Sequence, residues 1–370
     1  MTAAGPRLAL PVLALALAAC APPHGAVLGR ATPLAPSPTP TPRAALVAVL
    51  DHPFGATPNT LRLLRPDGAE VAETAVDPDA EAIAVAGSHV LIAGAGRIEE
   101  LDSDGTRVPL PTLPGSATDD IVRGLVADPG GTRWLWSSVG QSASGAVSRL
   151  YLGSAAAPGS PSLLLEKSSA GTALQPVAWT RGGPVVSEEP LGIGGYVLFR
   201  RTFGATSILD LVTHALRPLT GAECAFSDMV ADGSYVCVAD GREGPHGSGP
   251  VTLRLVRTGH AVVNIALPSS VQQAGAAFFS PDGSSVSLGT SPALGEGQER
   301  MQTALVDVAT GAMHAFGPDG IMPAAWLPDG RLVAVRMPGV AGGDVGTYLL
   351  DGTGTPSLLT PAWTVLGVLQ

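Results

Sequence analysis

The chain has 370 residues, of which 14% are charged and 4% aromatic, and it contains 47 Gly and 34 Pro. This composition supplies many turns and few long amphipathic helices, so it argues against a helical protein and for one built from short strands. The net charge of −10 argues against nucleic acid and against anionic lipid surfaces as partners, because both attract clustered Lys and Arg.

The N-terminus is typical of an export signal. Arg7 precedes an apolar segment over 8–17 that is too short to span a bilayer, and small residues lead to Cys20. Leu17-Ala18-Ala19-Cys20 resembles the lipobox of bacterial lipoproteins. The resemblance implies a lipoprotein signal peptide over 1–19 and a mature chain that carries lipid such as palmitate on Cys20. It also implies an extracytoplasmic place in the bacterial cell envelope, anchored to a membrane. The alternative is an ordinary signal peptide cut after Ala19.

Residues 20–43 are rich in Pro, Ala and Thr and show no apolar period. Pro-rich chain of this kind is extended and semi-rigid, so we expect a tether that holds a folded domain over 44–370 away from the membrane.

The folded part contains a repeated pattern. Residues 277–288 read AFFSPDGSSVSL, and residues 325–335 read AWLPDGRLVAV. Each copy is an apolar run ending in an aromatic residue, then a Pro-Asp-Gly turn, then alternating branched and polar residues, which together predict a β-hairpin. Asp282 and Asp329 are expected to accept backbone N–H bonds within the turns, and Phe279, Trp179 and Trp326 are expected to pack in the core.

Similar turns recur near Gly87, Gly130, Gly182, Asp232, Asp282 and Asp329, at spacings of 43 to 52 residues. That period, with four strands per unit, predicts an all-β fold of the β-propeller type. The strands over 45–50 and 364–369 lack partners next to them in sequence, so we expect the C-terminal strand to close the first blade. The result is seven four-stranded blades, with six or eight as alternatives. The predicted blades are 44–75 with 364–370, then 82–111, 121–167, 174–219, 224–267, 273–317 and 321–360.

The Ser280-Pro281-Asp282-Gly283 pattern and its copy at 327–330 resemble the repeat of TolB-type, WD-repeat-like propellers of the bacterial envelope. The likeness covers two blades well and the others mainly by period. It implies an interaction scaffold, although some members of the class are regulatory halves of peptidases. TolB's own partner function is not implied, because a tether stands where TolB has an additional N-terminal domain.

Cys224 and Cys237 are the two cysteines of the predicted domain. An oxidising compartment favours a disulfide between them. A two-residue hairpin turn at Asp232-Gly233 would instead place Cys237 opposite residue 228, beyond disulfide reach of Cys224. A longer turn or a bulge would restore the bridge, so the pairing stays open.

Carboxylates precede several inner strands, which all start at the same face of a propeller. We call this face the mouth. Acidic and amide side chains are expected to converge there: Asp79, Glu81, Asp119, Asp120, Glu223, Gln273 and Asp319. They are either solvated loop acids or a site for a divalent cation or a basic partner, with the metal unknown.

Long loops are predicted on the same face, over 140–146, 188–206, 240–250 and 290–301. Binding usually resides on such loops. They present a mixed rim that contains Arg200, Arg201, Arg242, His246 and Arg300.

Catalytic motifs are missing from the sequence. There is no G-x-S-x-G elbow, no Cys-x-x-Cys and no His pair at metal-ligand spacing. Asp102-Ser103-Asp104-Gly105 superficially resembles a calcium loop, but it lacks the further acidic ligands and is predicted to be a plain turn. We therefore expect a monomeric, non-catalytic, membrane-tethered scaffold that binds an envelope protein, a glycan or another ligand, with no cofactor beyond the divalent cation named above. The alternative is an envelope enzyme, a metal-assisted hydrolase or lyase, with its carboxylates at the channel mouth.

Overall fold

The computed structural model describes residues 45–51, 59–77, 80–94, 97–112, 121–143, 145–157, 160–180, 182–191, 199–240, 250–292, 300–340 and 342–370, with backbone alone for residues 81, 111, 112 and 240. These residues belong to one compact unit, Arg43–Gln370. They form 28 β-strands. None of them lies in a helix of the length and apolarity that crossing a membrane requires.

The strands form seven four-stranded antiparallel sheets, which confirms the predicted all-β propeller of seven blades. Blade 1 contains β28 (Thr364–Leu369), β1 (Leu46–Asp51), β2 (Asn59–Leu64) and β3 (Glu70–Val76). Blade 2 contains β4 (Ala80–Ala86), β5 (His89–Gly94), β6 (Arg97–Asp102) and β7 (Arg107–Thr112). Blade 3 contains β8 (Ile121–Ala127), β9 (Arg133–Ser142), β10 (Gly145–Ser154) and β11 (Ser162–Ser169).

Blade 4 contains β12 (Thr172–Thr180), β13 (Gly183–Pro190), β14 (Thr206–Leu209) and β15 (Leu216–Thr220). Blade 5 contains β16 (Cys224–Met229), β17 (Tyr235–Asp240), β18 (Val251–Val256) and β19 (Val263–Ala266). Blade 6 contains β20 (Gln273–Phe279), β21 (Ser285–Ser291), β22 (Gln302–Asp307) and β23 (Met313–Ala315). Blade 7 contains β24 (Met322–Trp326), β25 (Leu332–Arg336), β26 (Gly346–Leu350) and β27 (Pro356–Thr360).

Blade 1 takes its inner strand from the far end of the chain. β28 pairs with β1 from Leu46↔Leu369 to Leu50↔Thr364. This pairing gives blade 1 its fourth strand. The ring is therefore closed as predicted, and β1 is not left as an unpaired edge.

Apolar clusters fill the seams between neighbouring blades. Blades 2 and 3 meet through Leu91, Trp134 and Trp136, and blades 5 and 6 meet through Leu253 and Leu288. Alternate residues of a strand point to opposite faces of its sheet, so each blade contributes apolar side chains to both of its seams. These seams hold the inner strands in fixed positions around the axis.

The Pro-Asp-Gly turns take the predicted form. Asp282 Oδ1 accepts the N–H of Ser284 at 3.0 Å and Asp329 Oδ1 accepts the N–H of Arg331 at 3.1 Å. Bonds from the Ser280 hydroxyl and from Ser284 lower the pKa of Asp282 to about 2. Phe279 is buried, as expected of a core residue.

One predicted loop is wrong. Residues 140–142 and 145–146 belong to two long paired strands, because β9 runs to Ser142 and β10 begins at Gly145, with Val147 opposite Gly140. Gly140 and Ser142 therefore lie in this ladder.

Candidate functional site in the central channel

A cavity of about 570 Å³ lies on the propeller axis. Its lining comes from the inner strands of blades 1 to 5, and the main contributors are the segments 82–85, 124–127 and 175–180. Most of the lining surface is polar, because peptide groups and a few polar side chains line the wall. The volume falls in the range of small-molecule sites, about 300–1,000 Å³.

Every inner strand is interrupted by a β-bulge. In each of the seven sheets, the pairing of the innermost strand with its neighbour skips one or two residues: 81, 123–124, 177, 227, 276–277, 324 and 366. A bulge leaves its extra residue out of the ladder and re-aims it. At two of the bulges, those at Val177 and Ser227, the carbonyl group accepts a bond from a side chain of another segment.

A segment of blade 4 crosses the mouth of this channel. We call residues 199–205, which precede β14, the strap. Its first described residue, Phe199, packs with Met301 and Val340 in a buried cluster against blades 6 and 7. The carbonyl of Phe199 accepts the N–H of Ala276 on β20 at 3.0 Å. The strap thus reaches from blade 4 to blade 6 over the intervening blade 5.

Two glycines make room for Phe199. A Cβ on Gly275, whose φ is 158°, would lie 2.5 Å from the Phe199 carbonyl oxygen, and a Cβ on Gly289 would lie 2.8 Å from the Phe199 ring. Neither contact is tolerable, so only glycine fits at these positions. Phe199 itself has a φ of 68°, a left-handed conformation that costs roughly 1–2 kcal/mol in a non-glycine residue. The burial of its ring offsets that strain.

The same strap carries Arg201 into the cavity. Its guanidinium donates from Nη2 to the Val177 carbonyl at 2.6 Å and from Nη1 to the Ser227 carbonyl at 2.8 Å. Val177 and Ser227 are the bulge residues of β12 and β16, so the bulges supply both acceptors. A guanidinium carries more N–H groups than these two bonds use.

The charge of Arg201 is enclosed, yet water reaches it. The residue is exposed to solvent, and it lines the cavity together with residues of blades 1 to 5. Burial lowers the pKa of Arg201, and the charge of Asp228 offsets part of the effect. An enclosed cation of this kind attracts an anion more strongly than a cation on the outer surface does.

Asp228 lies next to Arg201 in the wall of the cavity. Its carboxylate accepts two backbone N–H bonds, from Met229 at 2.8 Å and from Phe279 of blade 6 at 3.0 Å. Burial raises the pKa of Asp228, against the opposing effects of the Phe279 bond and Arg201. Each carboxylate oxygen accepts one of these bonds, so Asp228 links blades 5 and 6. Its negative charge partly offsets the positive charge of Arg201.

The base of the strap is tied to blade 4. Glu189 is buried, and both of its carboxylate oxygens accept the N–H of Phe203, at 3.0 and 3.2 Å. The N–H of Glu188 donates to the Ala205 carbonyl at 2.9 Å. The strap is therefore held at both of its described ends.

The predicted carboxylate mouth is only partly within the described residues. Asp79, Asp119 and Asp120 lie outside them, and Glu81 is described as backbone of β4 alone. Glu223 is exposed just before β16, and Gln273 is nearly buried at the start of β20.

Asp319 is also exposed, and its carboxylate accepts a bond from Gln302 Nε2 at 2.9 Å. Its carbonyl accepts a bond from Arg336 Nη2 at 2.8 Å. Asp319 therefore bonds to one residue of blade 6 and one residue of blade 7. That the acids converge remains a prediction.

The predicted rim divides in the same way. Arg242 and His246 lie outside the described residues, and Arg300 is exposed just before β22. Arg200 lies on the strap with its guanidinium 5.8 Å from the centre of the Phe203 ring. Arg201 was predicted on the rim, but its side chain lines the channel.

Cys224 and Cys237 form a disulfide, with their Cα atoms 5.4 Å apart. The turn is one residue longer than the two-residue model, because Met229 pairs with Tyr235, and the bulge at Ser227 shifts the register once more. Cys237 therefore lies opposite Phe226 and diagonal to Cys224. The bridge ties β16 to β17 near the wall of the channel.

Sequence reasoning missed Asp228 and the position of Arg201. Asp228 follows an apolar strand pattern and gives no motif, and Arg201 is one of two consecutive arginines in a loop. The residue pattern that hinted at the strap is Phe199 before those arginines, since an aromatic residue in a loop needs a place to be buried.

Comparison with known proteins supports the fold. No family model matches the chain, and no curated protein matches it in sequence. An oligogalacturonate lyase in complex with manganese aligns at a TM-score of 0.55 and 12% identity, over 81% of this chain and 83% of that one. A Pyrococcus horikoshii acylaminoacyl peptidase aligns at a TM-score of 0.55 and 13% identity over 85% of this chain, which spans only 50% of that protein.

The β-propeller domain of the Trilobed protease from Pyrococcus furiosus aligns at a TM-score of 0.54 and 15% identity, over 85% of this chain and 94% of that one. That domain is described as an open velcro, whereas β28 closes the ring here. A TolB structure from Agrobacterium tumefaciens also matches, at a TM-score of 0.39 and 12% identity over 87% of this chain and 90% of that one, and adds nothing to the argument. At these identities the comparisons establish the β-propeller fold and nothing finer.

Proposed function

We propose that this protein is a non-catalytic binding propeller of the bacterial cell envelope, anchored through lipid on Cys20, and that its channel binds a small ligand with an anionic group. The observation that carries the proposal is the guanidinium of Arg201, which is enclosed in a mostly polar cavity of about 570 Å³ and is accessible to solvent there.

Carboxylate is the anionic group that we assign to the ligand. A guanidinium binds a carboxylate through two parallel N–H···O bonds, and these are stronger than bonds between neutral groups. The polar peptide groups of the wall suit a hydroxylated ligand, and the cavity has room for one or two sugar units. An acidic sugar therefore fits the site, in keeping with the glycan partner expected from the sequence. The oligogalacturonate named for one structural neighbour belongs to the same chemical class.

Calorimetric titration with digalacturonate tests this proposal. We expect saturable binding that weakens roughly 10- to 150-fold in Arg201→Gln, since one charge-assisted bond contributes about 1.5–3 kcal/mol. Arg200→Gln is the matched control, because it removes a neighbouring guanidinium that lies over Phe203. Heat-silent titrations at millimolar digalacturonate, or equal binding by both variants, would refute the proposed site.

The alternative function, a metal-assisted hydrolase or lyase, has a distinct outcome in the same experiment. Cleavage of digalacturonate in the presence of Mn²⁺, followed by chromatography, would favour the enzyme. Within the described residues, the only group of three metal ligands lies in blade 2 and not among the residues that line the channel. The geometry therefore favours binding over catalysis.

The membrane anchor is tested separately. Lipidation of Cys20 predicts that the protein partitions with membranes and takes up labelled palmitate, and that Cys20→Ser loses both properties. A Cys20→Ser variant that still fractionates with membranes would contradict the anchor. Affinity capture with the tethered chain then identifies any envelope protein partner.

A further inference from the structure

A histidine and two carboxylates face one another on blade 2, away from the channel. His89 begins β5, and Glu100 and Asp102 end β6. The register places His89 directly opposite Asp102, and Glu100 opposite Leu91. All three side chains therefore project from one face of the hairpin, the face that packs on blade 3. We call them the blade 2 cluster.

The spacing of the cluster suits a metal ion. One ligand atom from each residue lies within 4.8 Å of the other two. His89 Nδ1 is 3.5 Å from Glu100 Oε1, longer than a usual N–H···O bond. Zinc bonds to nitrogen and oxygen are about 2.0–2.2 Å long, so two ligands of a tetrahedral zinc ion lie about 3.4 Å apart. The observed 3.5 Å between Nδ1 and Oε1 therefore matches two ligands of one zinc ion better than it matches a hydrogen bond.

The imidazole is otherwise unexplained. The side chain of His89 is 12% exposed, and its Nε2 is inaccessible and meets no hydrogen-bond partner within the described chain. An enclosed polar ring without a good hydrogen bond calls for a ligand or an unseen partner. A cation bound at Nδ1 would fix the orientation of the ring from the side that faces Glu100, whereas Nε2 lies on the other side of the ring.

The two carboxylates also lack compensation. Their side chains are partly buried. Across the ranges that the structure describes, neither Glu100 nor Asp102 forms an ion pair with Arg or Lys, and the one partner of Glu100 is His89. Their ligand oxygens lie within 4.8 Å of each other and of a His89 nitrogen, close enough to share one ion. A divalent ion bound there would offset both negative charges and coordinate the histidine at the same time.

Neighbouring turns hold the cluster in place. A Cβ on Gly131, in the β8–β9 turn of blade 3, would lie 2.7 Å from His89 Cε1, so the ring is seated tightly against that turn. On the other side, Asp104 Oδ1 accepts the N–H of Thr106 at 2.9 Å, which confirms a plain turn after Asp102. Asp102 itself is left to face His89 and Glu100.

We propose that His89, Glu100 and Asp102 bind a divalent transition-metal ion, with Zn²⁺ as the ion that this donor set suits best. One imidazole and two carboxylates are borderline ligands of the kind that Zn²⁺ accepts, whereas Ca²⁺ and Mg²⁺ prefer oxygen alone. Three protein ligands leave a further coordination position for water. The site clamps β5 to β6 beside the seam with blade 3, so the metal stabilises the ring.

The test uses the tag-free full chain, titrated with Zn²⁺ by calorimetry and with Co²⁺ by visible absorption. We expect one saturable site, an intense tetrahedral Co²⁺ spectrum and a rise in Tm on addition of Zn²⁺, because an ion that binds only the folded state stabilises it.

Two variants remove one ligand each. Glu100→Gln keeps the shape of its side chain, and His89→Ala removes the imidazole; each is expected to weaken binding roughly 100-fold or more, since even the loss of an outer-shell partner costs about 10–100-fold. His314→Ala is the control, because His314 is an exposed histidine of β23. Absence of saturable binding in the unmodified chain, binding retained in Glu100→Gln and His89→Ala, or binding lost in His314→Ala would each overturn the proposal. Since the cluster lies outside the channel, none of these results depends on digalacturonate binding.

Discussion

Replacing Phe199 with Ala is expected to release the strap from blade 6. The Phe199 ring is 9% exposed, so the substitution removes almost the whole ring from a buried cluster. Burial of a Phe side chain contributes about 1.5–3 kcal/mol, and truncation in a rigid core costs about 3–5 kcal/mol because a cavity remains. The strap opens without unfolding the ring, so we expect the lower range, about 1.5–3 kcal/mol on local opening.

Hydrogen exchange and proteolysis measure that opening. The Ala276 amide donates to the Phe199 carbonyl, so its exchange is expected to accelerate roughly 10- to 150-fold in Phe199→Ala. Trypsin is expected to cut after Arg200 and Arg201 in the variant, because Arg201 is held inside the channel in the closed strap.

Phe203→Ala serves as the control, since Phe203 is an aromatic residue of the same strap that is absent from the blade 6 cluster. Unchanged exchange at Ala276 together with resistance to trypsin in Phe199→Ala would refute the view that Phe199 anchors the strap.

Three further outcomes follow from the contacts described above. Gly289→Ala is expected to destabilise the chain through its clash with Phe199, and Phe199→Ala is expected to relieve most of that cost; additive effects in denaturant unfolding of the double variant would contradict the clash. The pKa of Asp282 is lowered from 3.8 to about 2, so its stabilising effect is present above pH 4 and is lost as the pH falls toward 2; a carboxyl resonance that titrates near pH 4 would show that the turn bonds are absent. Replacing both Cys224 and Cys237 by Ser is expected to lower the free energy of unfolding in urea by roughly 3 kcal/mol. If a reductant does not lower the stability of the unmodified chain by a similar amount, the loss is not due to the disulfide.

The fold was predictable because its signals are local. Each blade is marked in the sequence by a Gly or Asp turn between two apolar runs, and the spacing of these turns gives the length of the repeat. The blade count depended on one longer inference, that 45–50 and 364–369 each lacked a partner, and β28 paired with β1 confirms it. Short-range pattern and simple counting were enough.

The channel site was not predictable in the same way. Whether Val177 and Ser227 point a carbonyl at Arg201 depends on bulges, and one skipped residue changes the register without changing the apolar pattern. The strap depends on Gly275 and Gly289, which lie about 75 to 90 residues from Phe199 in sequence and gain meaning only when blades 4 and 6 are in place.

The blade 2 cluster was within reach of sequence reasoning. Gly94 pairs with Arg97, and that register alone sets His89 opposite Asp102 and brings Glu100 to the same face. The calcium-loop pattern at 102–105 lacks further acidic residues along the chain. His89 lies across the ladder from Asp102 instead, so the strand register alone reveals the cluster.

Closure of blade 1 has a consequence for how the chain folds as it is synthesised. The inner strand of the first blade to leave the ribosome is the last strand to be synthesised, because β28 at 364–369 completes the sheet of β1. Until then Val47 and Val49, both fully buried in the finished ring, have no inner neighbour. The nascent chain thus keeps an unsatisfied strand edge beside its N-terminal segment throughout synthesis. Ring closure therefore has to wait until almost the whole propeller sequence has been synthesised, and a factor that holds the chain unfolded until then would protect that edge.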